Sequence, residues 1–226
     1  MEENEIIKDI QKEAETTLHE TMWGGFANDI LTGLQKNPGI QPDRPLWELV
    51  QNARDVSLEG GKAKIEFVRN QDSFIFKHNG QPFNRSTLQS LILQTSSKVR
   101  QDIIQVGQYG TGFLTTHKFG LDFSLTGSLS LLDGLKYYNF SGNDFVIKRS
   151  SQDKKELSDV FGKTIDTTQQ WDSNPESWDN EPRQDTIFEY IHNYDVERRS
   201  AKIAIDEAPQ LVPVVLSLQH KRNSDI

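Results

Sequence analysis

Three polar residues on one predicted helix have side chains suited to handling a water molecule and a hard cation. In residues 46–55 (LWELVQNARD), a step of about 100° per residue sets Glu48 at the origin, Asn52 at about 40° and Asp55 at about −20°. Leu46, Leu49, Val50 and Ala53 fall together on the other side and form a packing stripe. A carboxylate can take a proton from an attacking water. An amide oxygen one turn on can join the oxygen shell of a Mg²⁺ ion, which often takes only one or two protein ligands. Asp55 could hold water or the edge of a nucleobase. The same three residues would also serve as the solvated face of a surface helix, and the helix by itself does not separate the two readings.

A second segment bears on the choice. Residues 107–112 (GQYGTG) place Gly107, Gly110 and Gly112 at relative positions 1, 4 and 6. This is neither the dinucleotide fingerprint nor a P-loop, because the spacing differs and no Lys-Ser/Thr pair follows. Glycines still allow close backbone approach, and a helix after them offers free N–H groups to phosphate. Between the two segments lies KHNGQPF (residues 77–83), directly after a strand pattern.

These segments need elements to position them. Apolar steps of three and four predict an N-terminal helix within residues 1–20, a helix over 22–34 and the third helix over 46–58. Residues 62–69 and 73–77 alternate as a hairpin, 86–93 read as a helix, and a short helix follows Gly112 to about Phe119. Leu121, Phe123 and Leu125 alternate, and Asp133-Gly134 marks a hairpin turn before 136–140. Residues 150–184 are polar and net acidic, and read as a long loop or insertion. A strand over 186–192 and a helix over 196–219, broken near Pro209 and Pro213, close the chain. The order predicts an α+β fold, a two-layer α/β sandwich with a mixed, mostly antiparallel sheet covered by helices on one face.

Composition sets the bounds. The 226 residues suit a single domain. A net charge of −8 with scattered lysines and arginines disfavours direct nucleic-acid binding. No apolar run approaches the ~20 residues of a membrane span. Cysteine is absent, which fits a cytoplasmic location. His19, His117, His192 and His220 form no metal-ligand pattern.

Taken together, LWELVQNARDV resembles the N-box of the GHKL ATPases, the family of heat-shock chaperones, gyrase B subunits, MutL proteins and histidine kinases. GQYGTGF resembles the glycine box of its chaperone branch. KHNGQPF lies where that family has Asp-x-Gly-x-Gly, and Asp185-Thr186 falls where the chaperones have a Gly-Thr strand. The resemblance spans about residues 20–220 and implies the Bergerat fold, with ATP and Mg²⁺ as cofactors.

By that likeness Glu48 is the general base, Asn52 the Mg²⁺ ligand, and Asp55 a residue near the nucleotide. Gly107, Gln108, Tyr109, Gly110, Thr111, Gly112 and Phe113 form the phosphate cradle, and Thr186 supports adenine recognition. Residues 84–112 correspond to the ATP lid and glycine box. Within them Thr95-Ser96-Ser97-Lys98 is similar to a MutL lid motif, which implies that Lys98 reaches the terminal phosphate. The sequence departs from the pattern at His78, which replaces the adenine-binding aspartate, and at Pro82, which replaces a glycine; Gly80 is kept. The His-Asn-Gly-x-Pro-Phe form resembles a divergent set of large, chaperone-like bacterial proteins, some tied to defence. The resemblance implies Mg²⁺-dependent ATP binding with slow hydrolysis that drives conformational change or dimerisation, with a homodimer or other subunits as partners. A nucleotide-sensing pseudo-ATPase module is the alternative.

Overall fold

The computed structural model describes residues 21–34, 44–57, 63–94 and 112–223, with side chains to residue 209 of the last helix. Helix α1 (residues 21–34) buries Trp23, Ala27 and Ile30, which recur at one helical face. Helix α2 (Arg44–Asp55) follows, then the hairpin β1 (Ile65–Arg69) and β2 (Ser73–His78). Helix α3 (Arg85–Leu93), a 3₁₀ turn (Phe113–Lys118), and strands β3 (Phe123–Leu131), β4 (Lys136–Phe140) and β5 (Val146–Ile147) come next. Helix α4 (Lys154–Gln170), strand β6 (Thr186–Ile191) and helix α5 (Asp195–Asn223) complete the chain.

The strands form one six-stranded sheet in the order β1-β2-β6-β3-β4, with β5 paired to the start of β3. Among the described residues every strand pairing is antiparallel, and an isolated bridge from Phe83 to Leu129 is parallel. Alternate residues bury on one side only. In β6, Thr186, Phe188 and Tyr190 are buried, while Ile187 and Glu189 between them are half-buried. Helices therefore cover one face, as the sequence predicts. The other face is an open groove of about 850 Å³ lined by residues such as Ile75, Lys77, Thr126, Ile187 and Glu189. Among the described residues no helix is long and apolar enough to cross a membrane.

Helix ends follow local rules. Asn84 accepts from the Thr87 N–H at 2.8 Å, and the Thr87 hydroxyl accepts from the Asn84 N–H at 3.0 Å, a reciprocal capping box that starts α3. Asp153 accepts from the Glu156 N–H at 2.8 Å and starts α4. Glu197 accepts from the N–H groups of Asn193 and Tyr194 at 2.6 and 2.8 Å at the start of α5.

The structure departs from the sequence expectation at the end of α2, within residues 150–184 and in the last helix. The third helix runs 44–55 rather than 46–58, and Val56 and Ser57 leave it in a turn. Helix α3 matches the helix expected over 86–93, and its Leu88, Leu91 and Ile92 are buried in the core. Residues 150–184 are not a loop, since α4 occupies much of them. It buries Leu157, Phe161 and Ile165 on one stripe, and these three apolar steps outweigh its polar average. The last helix runs without a break through positions 209 and 213. The predicted helix within residues 1–20 lies outside the described residues.

After α4, Trp171 is 8 % exposed and stacks on Tyr138 and Phe140, with ring centroids 4.6 and 5.1 Å away. Phe145 meets it edge-on at 5.0 Å. This indole joins α4 to the β4 edge of the sheet. Trp171→Ala should lower unfolding free energy by about 3–5 kcal/mol, read as a fall in the urea midpoint at unchanged m-value.

Candidate functional site

The packing stripe of α2 holds as expected. Leu46, Leu49, Val50 and Ala53 are all buried in the core. The polar side of the helix is not the solvated face of a surface helix. Asn52 is only 4 % exposed, and among the described residues neither its amide oxygen nor its nitrogen has a hydrogen-bond partner. An unpaired buried amide costs about 1–3 kcal/mol per group, so this position is unfavourable for folding alone.

Glu48 lies one turn before Asn52. Its carboxylate is half-buried and 3.5 Å from the exposed guanidinium of Arg44. Burial raises its pKa above the ordinary carboxylate value, and Arg44 pulls it partly back. A base with a raised pKa accepts a proton from water more readily near neutrality. The carboxylate abuts Gly112 so closely that a Cβ there would collide with it. The last glycine of the run and the Glu48 carboxylate thus share one small space. Phe113, the next residue, is buried against Phe123 and Phe188 and pins this contact to the core.

The KHNGQPF turn closes on the end of the same helix. The Gln81 N–H donates to the Val56 carbonyl at 2.7 Å, and a Cβ at Gly80 would strike Val56 and the His78 ring. Glycine is required here by the close approach of two backbones. On the sheet side, His78 pairs across strands with Thr186, and both are buried. Asp185 reaches Lys77 at 3.1 Å, which raises the lysine's pKa through that hydrogen bond and charge.

His78 is 3 % exposed, and its Nδ1 accepts a hydrogen bond from the Gly80 N–H at 3.1 Å. A backbone amide can only donate, so Nδ1 is unprotonated and the neutral ring carries its proton on Nε2. Burial lowers its pKa to about 4, against a weak opposing pull from Asp185. The ring therefore caps its own turn two residues on, in the manner of an Asx side chain. It presents a donor, not the acceptor that a replacement for an adenine-binding aspartate would supply.

The structure thus brings Glu48, Asn52, Asp55, His78, Gly80, Gly112, Phe113 and Thr186 onto α2 and the elements packed around its polar side and its end. Lys98, Gly107, Gln108, Tyr109, Gly110 and Thr111 lie outside the described residues. The open groove on the far face of the sheet is lined by none of these residues. Among the described residues no three His, Asp or Glu side chains converge on a metal position, but Mg²⁺ with a phosphate ligand needs only one or two protein oxygens. The buried, unpartnered Asn52 oxygen fits that role. Sequence reasoning missed Arg149, a wholly buried cation beside the 3₁₀ turn. No local pattern marks an arginine for burial, because its acceptors come from distant segments. No known protein family matches the sequence, and no curated protein matches it either.

The depressed His78 pKa has a definite sign for stability. Between the unfolded value near ~6.5 and about 4, the unfolded chain gains a proton that the folded chain refuses. The stability held above pH 6.5 is therefore lost as pH falls through this window, by about 3 kcal/mol for a shift of this size. His117, which burial holds well below its ordinary value, adds to the same trend. His78→Asn can keep the turn through its own amide oxygen without titrating. Urea midpoints measured from pH 7.5 to 4.5 should fall less steeply in His78→Asn than in the wild type, and equal slopes would remove His78 as a contributor.

Proposed function

We propose that this chain is a Mg²⁺-dependent ATP-binding domain that hydrolyses ATP slowly and uses the cycle to drive conformational change or dimerisation. In this reading it serves as a module of a larger chaperone-like machine of the GHKL type. One observation carries the proposal above all. A fully unpartnered buried amide, Asn52, stands one helical turn from a carboxylate of raised pKa that touches the last glycine of a GQYGTG run. Folding does not reward such an arrangement, whereas a cation and phosphates would complete it.

The residue roles follow from their chemistry. The Asn52 oxygen would ligate Mg²⁺, which neutralises charge on the phosphates when bound. Glu48 would orient a water and take its proton. Gly112 would let the phosphates approach the backbone close to that carboxylate. Thr186 and Asp55 would lie towards the base, beside the His78 turn. Turnover by the chain alone should be slow, since phosphoryl transfer gains much from a cation supplied by another domain or subunit.

A second reading, a nucleotide-sensing module without turnover, is favoured by one specific feature. The His78 Nδ1 is already engaged by Gly80, so the acceptor that fixes adenine in the GHKL pattern is missing at that place.

Asn52 gives the sharpest test. Asn52→Ala removes a proposed ligand and also an orphaned polar group, and alanine is the better helix former. Mg²⁺-ATP affinity measured by calorimetry should fall at least tenfold, about 1.4 kcal/mol, while the melting temperature holds or rises. Unchanged affinity would end the site assignment. Glu48→Ala should retain binding and lose turnover by about 10²–10⁴-fold. Phosphate release by Glu48→Ala at the wild-type rate would remove Glu48 as the base, whereas a wild type that binds Mg²⁺-ATP and releases no phosphate would support the non-catalytic module.

A further inference from the structure

Arg149, directly after the short strand β5, is wholly buried, and no carboxylate among the described residues pairs with its guanidinium. Its Nη2 donates to the carbonyl oxygens of Leu91 at 2.5 Å and Ile92 at 3.1 Å, at the C-terminal end of α3. Its Nη1 donates to His117 Nε2 at 2.9 Å, in the 3₁₀ turn. The guanidinium carbon lies 5.4 Å from the centre of the Phe123 ring, while Nε has no partner among the described residues. The nearby Asp122 is spent on the main chain: it accepts from the N–H groups of Arg149 and Ser150 and from the Ser150 hydroxyl.

The acceptors are matched to this cation. The last carbonyls of a helix lack intrahelical partners and carry partial negative charge. Gln94, in the left-handed region at the helix end, adds its own side-chain hydrogen bond to Leu91 O at 2.8 Å. Arginine can only donate, so His117 must accept through an unprotonated Nε2 and hold its proton on Nδ1, which faces the Gly120 carbonyl at 3.4 Å. A buried cation without a counter-charge is expensive, and an apolar side chain would fill the same space at lower cost. What the guanidinium adds is a rigid fork that reaches two elements at once. In sequence, those elements flank residues 95–111.

We infer that Arg149 is a positioning residue that clamps the end of α3 to the 3₁₀ turn and so sets Gly112 against the Glu48 carboxylate. The turn begins directly after Gly112, and its Thr115 N–H and hydroxyl both bond back to the Gly112 carbonyl, at 3.0 and 2.8 Å. A shift of His117 therefore moves the glycine. The consequence for nucleotide binding rests on the function proposed above, while the clamp itself does not.

The test uses the whole chain with Arg149→Met, Arg149→Lys and His117→Leu, read by hydrogen exchange and by Mg²⁺-ATP calorimetry. Arg149→Met should speed exchange at least tenfold in both 86–94 and 112–118, leave β2 and β6 protected, and weaken Mg²⁺-ATP at least tenfold. Arg149→Lys keeps the charge but not the fork, so it should fail to restore both windows. Restoration by lysine, an unchanged 112–118 window, wild-type nucleotide affinity in Arg149→Met, or faster exchange across the whole sheet would each overturn the proposal. His117→Leu cuts one arm only, and decides the matter if Arg149→Met does not fold. Exchange should then rise in 112–118 and not in 86–94; a rise in both windows or in neither would overturn the clamp. If the wild type binds no Mg²⁺-ATP, the proposed function fails, and the exchange results still decide the clamp.

Discussion

The register of β2 against β6 and of β6 against β3 is fixed by a run of aromatic side chains, and the rest of the structure depends on it. Phe76 faces Phe188, Phe74 faces Tyr190, and Tyr190 in turn faces Phe123. Their rings lie 5.2–6.3 Å apart centre to centre. A one-residue slip would turn every ring to the open face. The same layer receives Phe113 and Phe119 from the two ends of the 3₁₀ turn. One set of contacts therefore holds His78 opposite Thr186 and also holds Gly112 in place, although the two sites are far apart in sequence. The chemistry is positioned by apolar packing that does none of it.

Much of this was legible in the chain. The stripe on α2 could be read because its period matches the helix and its polar residues cluster on the opposite side. Asp133-Gly134 could be read as a turn because Asp133 and Gly134 both take positive φ, 54° and 88°. These are local facts, and a local pattern encodes them. The site gathers residues from α2, the end of β2, the start of β6 and the 3₁₀ turn. Only the resemblance of ordered motifs, not periodicity, could join those pieces in advance.

The misreading of α4 has a physical origin. Leu157, Phe161 and Ile165 recur at intervals of four in α4, but the polar residues between them dominate the average composition. Burial of a helix needs only one stripe, so the average misleads. The role of His78 was not legible for a different reason. Its residue type admits either hydrogen-bond role, and only the Gly80 N–H shows which nitrogen is engaged.

The buried polar groups of this domain fall into two kinds, and the difference carries the functional argument. The terminal nitrogens of Arg149 and the Nδ1 of His78 are answered from within the chain: carbonyls and an imidazole accept from one, and a backbone amide donates to the other. Glu197 is likewise answered by two N–H groups. Such groups specify a geometry and need nothing from outside. Asn52 is of the other kind, since both ends of its amide are desolvated and neither is paired among the described residues. Alanine at the same place would bury more cheaply and suit the helix better. Under the proposed function a ligand would offset that cost, and the neighbours of Asn52 narrow its chemistry. A carboxylate that holds its proton more readily than usual and a glycine with no room for a side chain suit an anionic, cation-carrying ligand better than a hydrophobic one.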